Sequence, residues 1–232
     1  MTDVLDLIRS RHSSRGPYDP RRGIPGAAVE QMLEAARWSP TAHNMQNFEM
    51  LVIDDAAMLG KIGAIKTEIS ATFLRENHAQ LSFSEAELRT KGTGLLAAMV
   101  PSSWQKPDAT PESVRDPNRA SLSATMQGCP LLLIVLYDSR KRAPASEGDV
   151  LGIMSLGCVM QNMWLVAQSL EIGLQIMSTF ASPEPEAALR ELLGIPAHMK
   201  IAFACRLGYP LGDKPYLRVR REARAFAHRN RF

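Results

Sequence analysis

The chain has little cysteine, and this scarcity argues against two structural classes. It has three cysteines in 232 residues, and no two of them form a Cys-x-x-Cys pair. A disulfide framework needs several paired cysteines and a zinc ribbon needs two such motifs, so neither is indicated. The first residues also lack the cationic start and apolar run of a signal peptide. We therefore expect a protein of the reducing cytoplasm.

Several catalytic signatures are missing as well. The sequence contains no Walker-type loop, no His-Glu-x-x-His and no Gly-x-Ser-x-Gly, and its five histidines have no mutual ligand spacing. Residues 92–97 match the letters of the dinucleotide fingerprint Gly-x-Gly-x-x-Gly/Ala. They follow Leu88-Arg89-Thr90-Lys91 instead of an apolar strand, so we reject that interpretation. The sequence predicts no metal site and gives little support to hydrolytic chemistry.

Aromatic residues are also few, at 6% of the chain, and they do not alternate with basic residues. Proteins that bind single-stranded nucleic acid usually combine both features, so we expect no nucleic-acid partner. The net charge is only +3, but arginines cluster near both ends of the sequence. A non-enzymatic protein that binds a polyanion through these ends therefore stays open as an alternative.

One long run, residues 150–170, contains no charged side chain. Its length is that of a membrane span, but glycine, serine, asparagine and glutamine dilute it. We expect a central helix, with a subunit interface as one place where it would lie, and no membrane association.

The rest of the sequence mixes helical and strand patterns. Helical spacing covers residues 3–10, the segment from Pro25 to Ser39-Pro40, and residues 85–99 and 183–193, whereas strand-like runs occupy residues 49–53, 131–137 and 201–207. This mixture of helices and a few well-separated strands, in a chain of 232 residues, fits a globular protein of one domain or two small ones. Residues 67–127 are irregular, which is typical of a lid or excursion over a site and equally of a mobile surface loop.

Two short segments carry the functional signal. Residues 11–15 read Arg-His-Ser-Ser-Arg, which brings two fixed cations and hydroxyl groups together, as a phosphate site requires. Residues 39–46 read Ser-Pro-Thr-Ala-His-Asn-Met-Gln, whose small and amide groups suit a planar heterocycle. Each segment alone also fits an ordinary basic or turn-forming loop. Together they indicate a phosphorylated ring cofactor.

The order of these motifs resembles that of the nitroreductase family of flavin mononucleotide (FMN) oxidoreductases. The family's Arg-x-Ser-x-Arg start corresponds to Arg11, Ser13 and Arg15, and its Pro-Ser/Thr-x-x-Asn-x-Gln-Pro-Trp loop corresponds to residues 40–48. The likeness continues through the long uncharged helix, read as extending to residue 174, and ends at Leu-Gly-Tyr-Pro, residues 207–210.

The resemblance implies an α+β fold in a single domain spanning residues 1–232. This fold would be a nitroreductase-like three-layer sandwich with a central, mainly antiparallel sheet flanked by helices, in an intertwined homodimer with FMN at the interface. The resemblance also implies a set of cofactor-binding residues. Arg11, His12 and Ser13 would hold the phosphate, and Arg15 would act electrostatically near N1 and O2 of the ring. The partner subunit would supply Pro40, Thr41, Ala42, Asn44 and Gln46. A basic residue near the C-terminus would complete the phosphate site, with Arg218 and Arg220 preferred over Lys214.

Two departures from the family pattern bear on the substrate. Asn47-Phe48 replaces the common Pro-Trp, and Gln175, Ile176, Met177 and Ser178 occupy the place of a glycine-rich stretch beside the flavin. The groups at flavin N3 and O4 stay unassigned.

A flavin carries the redox chemistry itself, so no protein acid or nucleophile is needed. We expect ping-pong reduction of nitroaromatics, quinones or similar small acceptors by NADH or NADPH. Dehalogenation, desaturation, enone reduction and flavin fragmentation on the same fold are alternatives.

Overall fold

The computed structural model describes residues 3–114, 121–144, 146–212 and 217–232. Its α-helices are α1 (Val4–Ser10), α2 (Gly26–Arg37), α3 (Ala56–Gly63), α4 (Ala71–Phe73), α5 (Glu85–Lys91), α6 (Ser123–Met126), α7 (Val150–Ser169) and α8 (Pro183–Leu193). A π-helical turn, Leu74–Ala79, continues α4. The strands are β1 (Phe48–Ile53), β2 (Ser82–Phe83), β3 (Leu95–Leu96), β4 (Leu131–Asp138), β5 (Gly173–Met177) and β6 (Met199–Gly208). Short 3-10 helices lie at Ala42–Asn44, Ala97–Met99, Ser102–Gln105, Glu147–Asp149, Ser178–Ala181 and Ala223–Ala225.

By its internal contacts the chain divides into two units. Unit 1 comprises Met1–Thr67 and Ser121–Asp213, and unit 2 comprises Glu68–Ala120 and Lys214–Phe232. The single-domain reading and the lid role of residues 67–127 stay predictions.

A four-stranded sheet in the order β1-β4-β6-β5 forms the centre of unit 1. All three strand pairings are antiparallel. Strand β4 is buried along almost its whole length, because the sheet is covered on both faces. The predicted strands at 49–53, 131–137 and 201–207 are confirmed as β1, β4 and β6.

Apolar cores on the two faces of the sheet produce three layers. On one face, β4 and β6 pack with α3, α6 and α8 through residues such as Ile62, Met126 and Leu189. On the other face they pack with α2 and α7 through residues such as Met32 and Val159. The predicted α+β sandwich with a mainly antiparallel sheet flanked by helices is therefore confirmed.

Helix α7 confirms the central helix expected at residues 150–170, but the extension to residue 174 is wrong. Leu170 ends the helix, and Glu171 adopts a left-handed conformation with φ of 59°. The chain then enters β5, which pairs with β6 from Gly173 to Met177. The strand was not foreseen because its apolar residues continue the helical pattern without a break.

Among the described residues, α7 is the one helix long and apolar enough to cross a membrane, with a mean hydropathy of 1.6 over its window. Length and composition alone are weak evidence, because the core helix of a soluble protein passes the same test.

The helix predicted at residues 85–99 is wrong in its second half. Helix α5 begins with a reciprocal capping box between Ser84 and Glu87 and ends at Gly92, whose φ of 65° is left-handed. Gly94 also needs to be glycine, since an added Cβ would lie 2.4 Å from the Phe83 ring. The rejected fingerprint glycines thus have structural roles within unit 2.

Candidate active site

The segment Arg11–Arg15 leaves the end of α1 and is anchored to α7 and β5. The Trp164 indole N–H donates to the His12 carbonyl at 3.2 Å, and the Arg11 guanidinium lies 4.1 Å above the Trp164 ring. The Ser14 amide donates to the Leu174 carbonyl at 3.0 Å. Ser14 is buried and Arg15 is exposed, so a fixed backbone presents a cation at the surface.

Another arginine, Arg206 on β6, lies beneath this segment. Its guanidinium donates to the carbonyls of Gly16 at 2.7 Å and Ser14 at 3.4 Å, and to the Gln175 carboxamide oxygen at 2.7 Å. A fourth bond, of 2.8 Å, reaches the Thr125 carbonyl. Arg206 therefore joins the first motif to β5.

Tyr18 closes the same corner of unit 1. Its hydroxyl donates to the Ser14 carbonyl at 3.1 Å, and its ring lies 4.6 Å from the Arg206 guanidinium. Burial raises the pKa of the Tyr18 hydroxyl well above its ordinary value, and the Arg206 charge opposes this only in part. The hydroxyl is therefore a permanent donor that holds the segment in place.

Two glycines let the chain approach the sheet closely. A Cβ on Gly173 would lie 2.6 Å from the Ser14 hydroxyl oxygen, and one on Gly208 would lie 2.5 Å from the Tyr18 ring. Both positions are therefore closed to larger side chains. The first motif sits where it does because β5 and β6 each have a glycine at the point of contact.

A polar pocket of about 370 Å³ opens beside the first motif. Its walls come from the motif, from the turn between α7 and β5, and from the chain after β6: His12, Ser14, Gln168, Glu171, Ile172, Gly173, Pro210 and Gly212. Space for a small ligand therefore lies directly against the anchored backbone.

The second motif is a strained loop held against the first half of α7. His43, Asn44 and Gln46 have φ values of 51°, 52° and 44°, a left-handed conformation that costs free energy in residues other than glycine. The Ala42 amide donates to the Ser155 hydroxyl at 2.9 Å, and the Thr41 hydroxyl accepts from the Gln46 amide at 3.1 Å. Such strain is typical of binding loops.

The loop also exposes its polar groups. Pro40, Asn44 and Gln46 are exposed, whereas Thr41 and Ala42 are half-buried. The Gln46 carboxamide donates to the Asn44 carboxamide oxygen at 3.0 Å, so the two amides stand side by side. After the loop, Asn47 is buried and its carbonyl accepts from the Asp138 amide at 3.0 Å.

Both motifs are anchored to the same helix. Ser155 holds the second motif and Trp164 holds the first, and nine residues of helix correspond to about 13 Å along its axis.

The predicted residues beside the ring lie at the end of β5 and just after it. Gln175 is bonded to Arg206, Ile176 packs against the α7 side of the sheet, and Met177 is buried on the other side. Ser178 is exposed and begins the next 3-10 helix. Gln175 thus lies close to the first motif through their shared partner.

The predicted C-terminal basic residues belong to unit 2. Arg218 and Arg220 are both exposed, and the Arg220 guanidinium donates to the Val219 carbonyl. Lys214 lies outside the described residues. The part of these residues in phosphate binding stays a prediction.

Sequence reasoning missed three anchors: Ser155, Trp164 and Arg206. Ser155 and Trp164 lie in the uncharged helix, where nothing distinguished them from core residues. Arg206 had a usable signal, because it is a charged residue within the apolar strand run 201–207.

Comparison with known proteins identifies the family of this chain. The sequence profile of the nitroreductase family matches residues 8–209. A protein of Archaeoglobus fulgidus, provisionally named NADH dehydrogenase/NAD(P)H nitroreductase, is 24% identical over 216 residues, covering 93% of this chain and 90% of that protein.

Solved structures share the fold at lower identity. A provisionally assigned nitroreductase from Desulfovibrio desulfuricans, in complex with FMN, has a TM-score of 0.62 at 19% identity and covers 100% of this chain and 99% of its own. The Bacteroides fragilis nitroreductase with bound FMN has a TM-score of 0.54 at 20% identity, and the match covers 94% of this chain and 96% of that protein. At such identities the structures establish the fold alone, whereas the profile match covers most of the sequence. The chain belongs to the nitroreductase family, a family of oxidoreductases.

Proposed function

We propose that this protein is a cytoplasmic FMN-dependent oxidoreductase that reduces nitroaromatics, quinones or similar small acceptors with NADH or NADPH. One observation carries the proposal. The Arg11–Arg15 segment is bonded to β5 through Ser14 and Leu174, next to Gln175. Residues suited to a phosphate and residues suited to the edge of a ring thus occur together in unit 1.

The donor set fits FMN. Arg11, His12 and Ser13 would hold the phosphate, because guanidinium and hydroxyl groups pair well with phosphate oxygens. The exposed Arg15 would stabilise negative charge near N1 and O2. Bound FMN would supply the hydride transfer, so the chain itself has to bind, orient and exclude water.

The protein is proposed to act as a homodimer. The first turns of α7 expose four apolar side chains: Val150, Leu151, Ile153 and Met154. A cluster of this kind is unusual on a monomer and is typical of a subunit interface. The second motif, residues 40–46, is bonded to the same part of α7 through Ser155. An interface on this face would bring residues 40–46 to the partner's cofactor.

The proposal is tested by flavin binding and steady-state kinetics of the purified protein. Arg15→Ala should lower the affinity for FMN or the rate of its reduction roughly 10- to 100-fold, the value of one or two bonds to a charged group. Arg21→Ala is the matched control, because that side chain is 87% exposed and its ion pair is with the neighbouring Asp19. Unchanged affinity and rate for Arg15→Ala would remove the role assigned to it.

The reaction is tested with a panel of nitroaromatics, quinones, enones and halogenated aromatics under both nicotinamides. Ping-pong kinetics with nitro or quinone acceptors support the proposal, whereas turnover confined to dehalogenation or desaturation favours the alternative chemistry on this fold. Colourless protein that cannot be reconstituted with FMN, but binds DNA with a steep salt dependence, would indicate the polyanion-binding alternative.

A further inference from the structure

Arg206 is a buried cation whose hydrogen-bond partners, in the part of the chain that the structure describes, are all uncharged. Its exposed fraction is 3%, and its four hydrogen-bond acceptors are three backbone carbonyls and one neutral carboxamide. Within the described ranges, no aspartate or glutamate forms an ion pair with it. Burying a charge is costly, and buried charges are normally paired with an opposite charge. Among the described residues, dipoles therefore solvate the positive charge of Arg206 and no carboxylate neutralises it.

The hydrogen bonds of Arg206 also decide how the first motif is oriented. The carbonyls of Ser14 and Gly16 both point toward the guanidinium. In a trans peptide the N–H points opposite to the C=O, so the Arg15 amide is directed away from Arg206. In the described part of the chain, this amide has no backbone acceptor. The same contacts that bury one cation thus leave a backbone donor, next to the exposed Arg15 side chain, available to a ligand.

Gln175 is fixed by the same group. It lies opposite Arg206 in the antiparallel register of β5 and β6, and the Nε–Oε1 distance is 2.7 Å. Since Arg206 is a donor only, the Gln175 carboxamide has to present its oxygen to the guanidinium and direct its NH₂ elsewhere. One guanidinium therefore sets both the backbone of the first motif and the orientation of Gln175.

We propose that Arg206 is a positioning residue of the flavin site, which aligns Ser14–Gly16 with Gln175 and supplies a buried positive charge that favours an anionic ligand. This proposal rests on the proposed function, because it takes FMN as the ligand. The charge acts through the low-polarity interior, where it is screened less than the exposed charge of Arg15.

Two substitutions separate the charge of Arg206 from its geometry. Arg206→Met removes both the charge and the donors, and Arg206→Lys keeps the charge but loses the planar fork. Arg21→Met is the control for loss of one exposed arginine. Three quantities are measured: amide hydrogen exchange of residues 14–16 in the apoprotein, the dissociation constant for FMN, and the midpoint potential of bound FMN.

We expect Arg206→Met to speed amide exchange at residues 14–16 and to weaken FMN binding on the order of 10- to 100-fold, as loss of several bonds to a charged group implies. Its midpoint potential should fall by about 30 mV for each tenfold loss of preference for the reduced flavin. Arg206→Lys should also speed exchange but keep the potential close to that of the unsubstituted protein. If Arg206→Met does not fold, the split between exchange and potential in Arg206→Lys carries the test.

A folded Arg206→Met protein with unchanged exchange, affinity and potential would overturn the proposal and leave Arg206 as a packing residue. An Arg206→Lys potential that falls as far as that of Arg206→Met would overturn the role of the charge. If the unsubstituted protein binds no FMN, the proposed function fails together with this inference. If the unsubstituted protein binds FMN, but the Arg206 variants match Arg21→Met in amide exchange, FMN affinity and midpoint potential, this inference fails while the proposed function stands.

Discussion

Gly173→Ala tests how tightly the first motif is packed against the sheet. An added Cβ would lie 2.6 Å from the Ser14 hydroxyl oxygen and 2.8 Å from both the Ser14 Cβ and the Pro210 Cγ. Ordinary contacts of a Cβ begin near 3.4 Å. Ser14 is buried and its side chain is short, so the clash can be relieved only by moving the backbone of the segment. The movement would stretch the 3.0 Å bond from the Ser14 amide to the Leu174 carbonyl.

The size of the effect follows from two opposing contributions. Overpacking of this kind costs about 1–3 kcal/mol. Replacing a strand glycine by alanine returns about 0.5–1 kcal/mol, because glycine loses more conformational freedom on folding. The net destabilisation is about 0–2.5 kcal/mol, which corresponds to a Tm lower by up to about 10 °C for a chain of this size. Since Ser14 adjoins the proposed phosphate site, FMN affinity should fall as well.

Thermal unfolding of the apoprotein and titration with FMN measure the two effects. Gly60→Ala is the matched control: Gly60 lies within α3, and an added Cβ would meet nothing within 4 Å. That change should raise the Tm, because alanine is favoured over glycine in a helix interior by about 1 kcal/mol. If the Gly173→Ala protein is as stable as Gly60→Ala and binds FMN normally, the first motif is not packed tightly against Gly173.

Three further substitutions probe other parts of the molecule. Ser155→Ala removes the acceptor of the Ala42 amide, and we expect a loss of about 1 kcal/mol and faster amide exchange at Ala42. Burial among aromatic rings lowers the pKa of His78 below its ordinary value of 6.5. The unfolded chain therefore binds the proton first as pH falls, so stability should decline below about pH 6.5, and His78→Phe should flatten this decline in unfolding curves. Ile153→Glu places a charge on the proposed interface, and light scattering should then detect monomers.

Each of these substitutions has a control. Ser169→Ala removes an exposed hydroxyl that donates to the Val166 carbonyl of its own helix, and it should leave Ala42 exchange unchanged. His228→Gln, in the exposed C-terminal segment, should retain the decline below pH 6.5. Ala56→Glu adds the same charge at the exposed first residue of α3 and should leave the dimer intact. A pH-independent stability, unchanged Ala42 exchange in Ser155→Ala, or a dimeric Ile153→Glu would contradict the respective expectation.

The fold was largely predictable because its strongest patterns are local. Strand β4 is an unbroken apolar run. Helix α8 begins at Pro183 and ends before Gly194, as a first-turn proline and a C-terminal glycine predict. Strand β5 was missed because pairing with β6 determines it, not a pattern of its own. The second half of the helix predicted at 85–99 failed because Gly92 stops α5 in a left-handed cap, although apolar residues continue beyond it.

The sequence indicates the residues proposed to bind the ligand but not the residues that support them. Arg11, Ser13 and Arg15 are identifiable from residue type and spacing, since charge and hydroxyl groups suit a phosphate. Trp164 and Arg206 act through contacts between residues more than 150 positions apart in sequence. Spacing along a single chain carries no information on such contacts, so they emerge only when the sheet and α7 are assembled.

FMN dependence is tested most directly by titrating the purified apoprotein with FMN. Binding is followed by the flavin absorbance and by the quenching of flavin fluorescence. We expect saturable binding of one FMN per chain, and bleaching of the bound flavin on anaerobic addition of NADH or NADPH. Absence of binding at millimolar flavin, or bound flavin that neither nicotinamide reduces, would contradict this expectation.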